Sequence, residues 1–158
     1  MNKPLKISDC MKRNVISISE SAKIRDAAAL FTEHHIGSLP VVNETGHLVG
    51  ILQLSDLLAL VMPDFVLFME DFDFVGDFGA VETRTPDSET LDKPIKGIMQ
   101  QDVSIEETSG LLRASAILYQ QKLHDLPVVD SGGRLIGIAS RVDIGTALVS
   151  IWGKSSRG

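Results

Sequence analysis

With 158 residues, 44% of them apolar and 23% charged, the chain has the composition of an ordinary globular protein and not of a disordered one. A formal net charge of −6, with one Trp and one Tyr, leaves no positive stripe to meet phosphates and sets nucleic-acid binding aside; the small basic groups Lys3, Lys6, Lys12 and Arg13, and Lys154 and Arg157, read as solvated ends. The single cysteine, Cys10, excludes an intrachain disulfide and reads as a small buried apolar residue, while no run approaches the roughly 18 apolar residues of a membrane helix, so a cytoplasmic protein with no membrane contact is expected.

In chain order, residues 15–18 have the length and β-branched content of a strand. A helix follows, with Ser19 or Ser21 placed to cap it and Ile24, Ala27, Ala28, Phe31 and His35 recurring at spacings of three and four. His34 and His35 are expected at its end, where a cation suits the helix dipole. Two buried strands come next, 39–42 and 48–52, joined by the turn-forming Asn43-Glu44-Thr45-Gly46. Residues 55–61 read as a closing helix.

Residues 61–92 form an insert. Phe65, Phe68, Phe72, Phe74 and Phe78, five of the six phenylalanines, sit there. Phe65, Phe68, Met69 and Phe72 follow a helical i, i+3, i+4, i+7 pattern opposite Asp64, Glu70, Asp71 and Asp73. Such a stripe either packs on its own core or presents a surface to a second chain. Residues 83–92, polar and containing Pro86, are expected to be a mobile loop.

The second half repeats the first. At an offset of 87, Leu39-Pro40-Val41-Val42 falls on Leu126-Pro127-Val128-Val129, Gly46 on Gly133, Leu48 on Leu135, Gly50-Ile51 on Gly137-Ile138, and Asp56 on Asp143: nine identities in the eighteen positions 39–56, without a gap. Upstream, Ser17-Ile18 falls on Ser104-Ile105, and Ala27 and Ala29 on Ala114 and Ala116. The chain is a duplication. The second copy thus has a strand at 103–105, a helix with Leu111, Ala114, Leu118 and Gln121 on one face, a turn at Asp130-Ser131-Gly132-Gly133, and a closing helix over 142–152. The fold class is α+β, sandwich-like: two βαββα units, 1–60 and 93–152, with a tail at 153–158. Each unit is too small to bury much surface alone, so the two must pack face to face.

The set of V-x-S-I strand, Ala-rich helix, L-P-V-V, G-x-L-x-G-I and closing aspartate resembles the cystathionine-β-synthase (CBS) domain, and two in tandem resemble the CBS pair, or Bateman module. The resemblance spans about residues 5–60 and 93–150. It implies pseudo-two-fold units with two interfacial clefts that hold adenosine derivatives such as AMP, ADP, ATP or S-adenosylmethionine. It also implies a homodimer that regulates another protein, with no cofactor required and no metal. Because no effector domain is fused, the regulated protein is expected to be a separate polypeptide. The family's motif G-h-x-[ST]-x-x-D binds ribose through the aspartate, and ribose or phosphate through the hydroxyl. Copy two fits it with Gly137-Ile138-Ala139-Ser140-Arg141-Val142-Asp143. Copy one keeps Asp56 but has Gln53 in the hydroxyl position. By the resemblance, the cleft of Ser140 and Asp143 borrows Ile16 and Ser17 for adenine and Gly37 and Ser38 for phosphate, with Ser55 reaching in. The weaker cleft would combine Asp56 with Val103, His124 and Asp125, whose charge opposes an anion.

Bound ligand is therefore expected in one good cleft, AMP favoured over ATP because no Arg or Lys is aimed at a phosphate tail. An enzyme is not expected: there is no G-x-S-x-G elbow, no P-loop and no zinc-type His spacing among His34, His35, His47 and His124. Glu106 and Glu107 read as first-turn helix acids. The alternative is a ligand-free dimerising scaffold that acts through the Phe-rich insert. A homodimer is expected to use Leu57, Leu58, Leu148 and Trp152 on the two closing helices.

Overall fold

The computed structural model describes residues 5–62, 84–101 and 103–155. The Phe-rich stripe lies outside the described residues. The first unit runs β1 (Ile18–Ser19), α1 (Ile24–His34), β2 (Ser38–Val42), β3 (Leu48–Gln53) and α2 (Leu54–Leu58). A short helix, α3 (Ser88–Leu91), precedes the second unit, which runs β4 (Ile105–Glu106), α4 (Leu111–Gln121), β5 (Asp125–Val129), β6 (Leu135–Ser140) and α5 (Arg141–Ser150), with a last turn α6 (Trp152–Ser155). Each unit has a three-stranded sheet with the same plan: the central strand pairs parallel with the first and antiparallel with the third.

The duplicated sequence builds duplicated detail. In the β2–β3 turn Asn43 Oδ1 accepts the N–H groups of Thr45 and His47, and in the β5–β6 turn Asp130 Oδ1 accepts those of Gly132 and Arg134. Gly46 and Gly133 take φ of 84° and 85°, where a side chain would be strained. The two turns meet each other: Leu48 N–H donates to Gly133 O at 3.1 Å and Leu135 N–H to Gly46 O at 3.2 Å. Pro40 and Pro127 sit in the central strands without an N–H to donate, and the parallel ladder is confined to the two residues after each proline. The first strand is therefore shorter than the expected 15–18, and residues 14–16 are left to line a cleft.

The sequence pattern did not foretell how the units exchange their leading segments. The 3₁₀ turn Ile7–Asp9 packs on the second unit: Ile7 N–H donates to Ser109 O at 2.8 Å, and Ile7 and Met11 are buried among Val103, Leu111, Leu126 and Ile144. The 3₁₀ turn Ile95–Gly97 returns the exchange: Ile95 N–H donates to Ala22 O at 2.9 Å and Ile95 is buried with Ile24, Phe31 and Leu39. Each segment then runs beside the third strand of the other unit. Lys12 exchanges both backbone hydrogen bonds with Ile138 (2.8 and 2.9 Å), and Gln100 does the same with Ile51. A β-carbon on Gly137 would stand 2.5 Å from Met11 Sδ, and one on Gly50 would stand 2.8 Å from Gln100 O, so this crossing needs glycine on both strands.

Several element ends differ from the sequence reading. Ser19 and Ser21 bond each other (2.9 Å) and leave the cap of α1 to Lys23, whose N–H donates to Asp26 Oδ2 at 2.9 Å. His35 is not helical but closes α1 in the left-handed region, as Lys122 closes α4. Gln121 is exposed at the end of α4 and accepts from Gln100 Nε2. α2 ends at Leu58, and the closing helix of the second unit breaks at Ile151. The stretch read as a mobile loop contains α3, capped by Asp87, and Arg25 holds it through Asp92 (2.9 Å) and Ser88 (3.3 Å). Among the described residues no helix is long and apolar enough to cross a membrane.

Candidate functional site

A cavity of about 250 Å³ opens between the units. Ile16, Gly37, Ser38, Ile138, Ser140 and Asp143 line it, six of the eight residues expected in the main cleft. Ile16 comes from the stretch before β1, Gly37 and Ser38 from the entry to β2, and Ile138, Ser140 and Asp143 from the end of β6 and first turn of α5. The other two do not line it. Ser17 faces a neighbouring groove with Arg13 and Val42, and Ser55 is exposed on α2.

Ser140 and Asp143 form a reciprocal helix cap: Ser140 N–H donates to Asp143 Oδ2 at 2.9 Å and Asp143 N–H to Ser140 Oγ at 3.0 Å. The cap and a ligand-binding role coexist. Ser140 keeps its own O–H to donate, and Asp143 keeps Oδ1, since both its side-chain contacts fall on Oδ2. Ser38 is buried to 4% exposure, and its Oγ has no hydrogen-bond partner among the described residues. Leaving such a hydroxyl unmade costs about 1–3 kcal/mol.

Two charged residues here escaped the sequence reading. Lys12, taken for a solvated end, lines the cavity with its Nζ 4.0 Å from Asp143 Oδ2. Asp125, assigned to the opposite cleft, stands in this one. β5 begins one residue earlier than expected, and its register sets Asp125 directly opposite Ser140. Arg141 points elsewhere: its Nε donates to Leu123 O at 2.6 Å. Cys10 is half-buried, not fully buried as expected, and burial raises its thiol's pKa, with the charges of Asp143 and Asp9 adding to it.

The residues expected in the weaker cleft are placed differently from their counterparts. Val103 is buried and lines a separate groove with Gly50, Lys96 and Met99; His124 is exposed, and Asp56 is half-buried. Two positions set the copies apart. Gln53, at 8% exposure, buries a longer side chain where copy two has Ser140, and Ile51 is fully buried in the second unit's core where Ile138 stays half-exposed. Asp56 Oδ2 accepts from Gln53 N–H at 2.8 Å. Burial nonetheless raises the Asp56 carboxyl above its ordinary value, against that hydrogen bond. An acid with a raised folded-state pKa loses folding stability as pH climbs from its unfolded to its folded value, so charge at Asp56 is a cost to the fold.

The family model for the CBS domain matches residues 7–63 and 95–150. The chain is 31% identical over 147 residues to the chloroplastic CBS domain-containing protein CBSX1 of Arabidopsis thaliana, spanning 89% of this chain and 61% of that protein. It is 29% identical over 136 residues to a homoserine O-acetyltransferase of Methanocorpusculum labreanum, spanning 85% of this chain and 22% of that protein. Both matches thus cover less than two thirds of the relative. The crystal structure of CBSX2 from Arabidopsis thaliana in complex with AMP superimposes with a TM-score of 0.67 at 27% identity, covering 92% of this chain and 97% of that one.

Proposed function

Because the chain belongs to the CBS-domain family, as a tandem pair, we propose that it is a regulatory sensor, not an enzyme, and that it binds an adenosine-type ligand in the cleft of Ser140 and Asp143. AMP is favoured over ADP, ATP and S-adenosylmethionine: one lysine, Lys12, matches one phosphate, and Arg141 is tied to a carbonyl. A related structure contains AMP, which supports the adenosine class. The observation that carries the reading is the buried, unpartnered Ser38 hydroxyl in the cavity wall. In this scheme Ile16 and Ile138 pack on adenine, Asp143 Oδ1 accepts from the ribose hydroxyls, and Ser140, Gly37 and Ser38 meet the phosphate.

Ser38→Ala tests this with two readouts of opposite sign. Removing an orphaned hydroxyl should leave the ligand-free protein as stable or up to about 1–3 kcal/mol more stable in urea. The same change should weaken AMP binding by about 10-fold or more, the loss of a hydrogen bond to a charged group. Unchanged AMP affinity in a well-folded variant would remove Ser38, and with it the main support for this site.

The second unit also favours a homodimer. Leu112 and Tyr119 share one face of α4 at 78% and 86% exposure, and Val142 is 70% exposed on the neighbouring α5. Of the residues expected there, Leu58 and Trp152 are exposed, while Leu57 and Leu148 are half-buried. Light scattering at tens of micromolar should give twice the chain mass, and Leu112→Glu with Tyr119→Lys should return a folded monomer. A wild-type monomer would rule the dimer out.

A further inference from the structure

We infer that Asp125 is a charge filter on the cleft: it ranks adenosine ligands by how many negative charges they carry beyond the ribose. This rests on the reading of the cleft as an adenosine-ligand site and adds the residue that decides its specificity. Ser38 and Asp125 are equivalent positions in the two copies, 87 residues apart, and each opens its central strand. Both line the same cavity. One copy therefore contributes a neutral donor and the other a carboxylate.

The register sets the carboxylate's place. Asp125 pairs with Ser140, and directly opposed residues of an antiparallel pair stand on one face with Cβ atoms about 4.5–5.5 Å apart. Whatever meets the Ser140 hydroxyl therefore meets Asp125. Compensation is thin. Among the described residues, Lys12 is the one cation lining the cavity, and it already lies 4.0 Å from Asp143 Oδ2. Arg141, next in the chain to Ser140, spends its Nε–H on Leu123 O. One lysine against Asp125 and Asp143 leaves the lining one negative charge in excess. A single phosphate finds Lys12, whereas each further phosphate adds negative charge with no new cation to meet it. At separations of about 6–8 Å and an effective dielectric of about 20, each such charge weakens binding by roughly three- to a hundredfold, the lower figure holding at physiological salt.

The test is calorimetric titration of the full chain, free of divalent metal, with adenosine, AMP, ADP and ATP, for the wild type, Asp125→Asn and Asp125→Glu. In the wild type affinity should fall from AMP to ATP, and raising NaCl should narrow that gap. Asp125→Asn, near in shape, should leave adenosine within about twofold, tighten AMP by roughly threefold and tighten ATP by roughly thirtyfold. Asp125→Glu should keep the wild-type order. A gain equal across all four ligands, or an unaltered order in Asp125→Asn, overturns the filter while adenosine and AMP binding keep the site. If the wild type binds none of the four, the site itself falls, and the filter with it.

Discussion

Asp143→Ala should weaken AMP binding by about 10- to 150-fold, and Asp56→Ala should change it by less than about twofold. The first figure is the loss of a charge-assisted hydrogen bond, about 1.5–3 kcal/mol. The contrast comes from surroundings, since both aspartates occupy the third position of a helix and accept the N–H three residues back. Asp143 does so at the wall of an open cavity, beside Ser140 and Lys12. Asp56 does so behind a buried Gln53, where burial already disfavours its charge. Because Asp143 also caps α5, its removal costs about 0.5–2 kcal/mol of stability as well. Asp143→Asn separates the two roles: its amide oxygen still accepts from Ser140 N–H, so it should melt near the wild type yet bind AMP more weakly. A larger affinity loss from Asp56→Ala than from Asp143→Ala would assign the competent cleft to the other copy.

The largest effect on stability is expected from a residue far from the cavity. Ile7→Ala should destabilise the protein by about 2–5 kcal/mol in urea, the cost of emptying a fully buried aliphatic site. Nothing in its immediate sequence marks Ile7 as core, for it stands among Lys6, Ser8 and Asp9 near the start of the chain. Its burial comes largely from the second unit, in whose core it clusters with Leu111 and Ala114. Ile95→Ala should cost a similar amount by emptying the matching site in the first unit. A loss under about 1 kcal/mol for Ile7→Ala would mean that the leading segment is not part of the second unit's core.

The duplication, the strand–helix plan and the turns were legible in the sequence because each is written locally: an ungapped repeat of L-P-V-V and G-I, and turn residues whose side chains bond their own backbone. The exchange of leading segments was not. Ile7-Ser8-Asp9-Cys10-Met11-Lys12 answers Ile95-Lys96-Gly97-Ile98-Met99-Gln100 at a spacing of 88, whereas Ile16 answers Val103 at 87. One residue's difference hides the match from an ungapped comparison. That match is the signal that places Lys12 at the cleft, and it also shows that the other copy carries neutral Gln100 there. That Asp125 lines the Ser140 cavity was not legible because its position depends on strand register, and the apolar run that marks β5 starts one residue after the strand does. The partition of Ser17 and Ser55 away from the cavity follows from side-chain direction, which spacing alone does not carry.

Titration of AMP into the wild-type chain, followed by calorimetry, tests the central claim most directly. One tight site per chain is expected, with any second site far weaker, because Ser140, Asp143, Lys12 and the unpartnered Ser38 hydroxyl converge on one cavity while Gln53 and Ile51 are buried at the matching positions of the other copy. Two equal tight sites would contradict the asymmetry, and no heat with AMP, adenosine or any other adenosine derivative would contradict the assignment of this cleft as a ligand site.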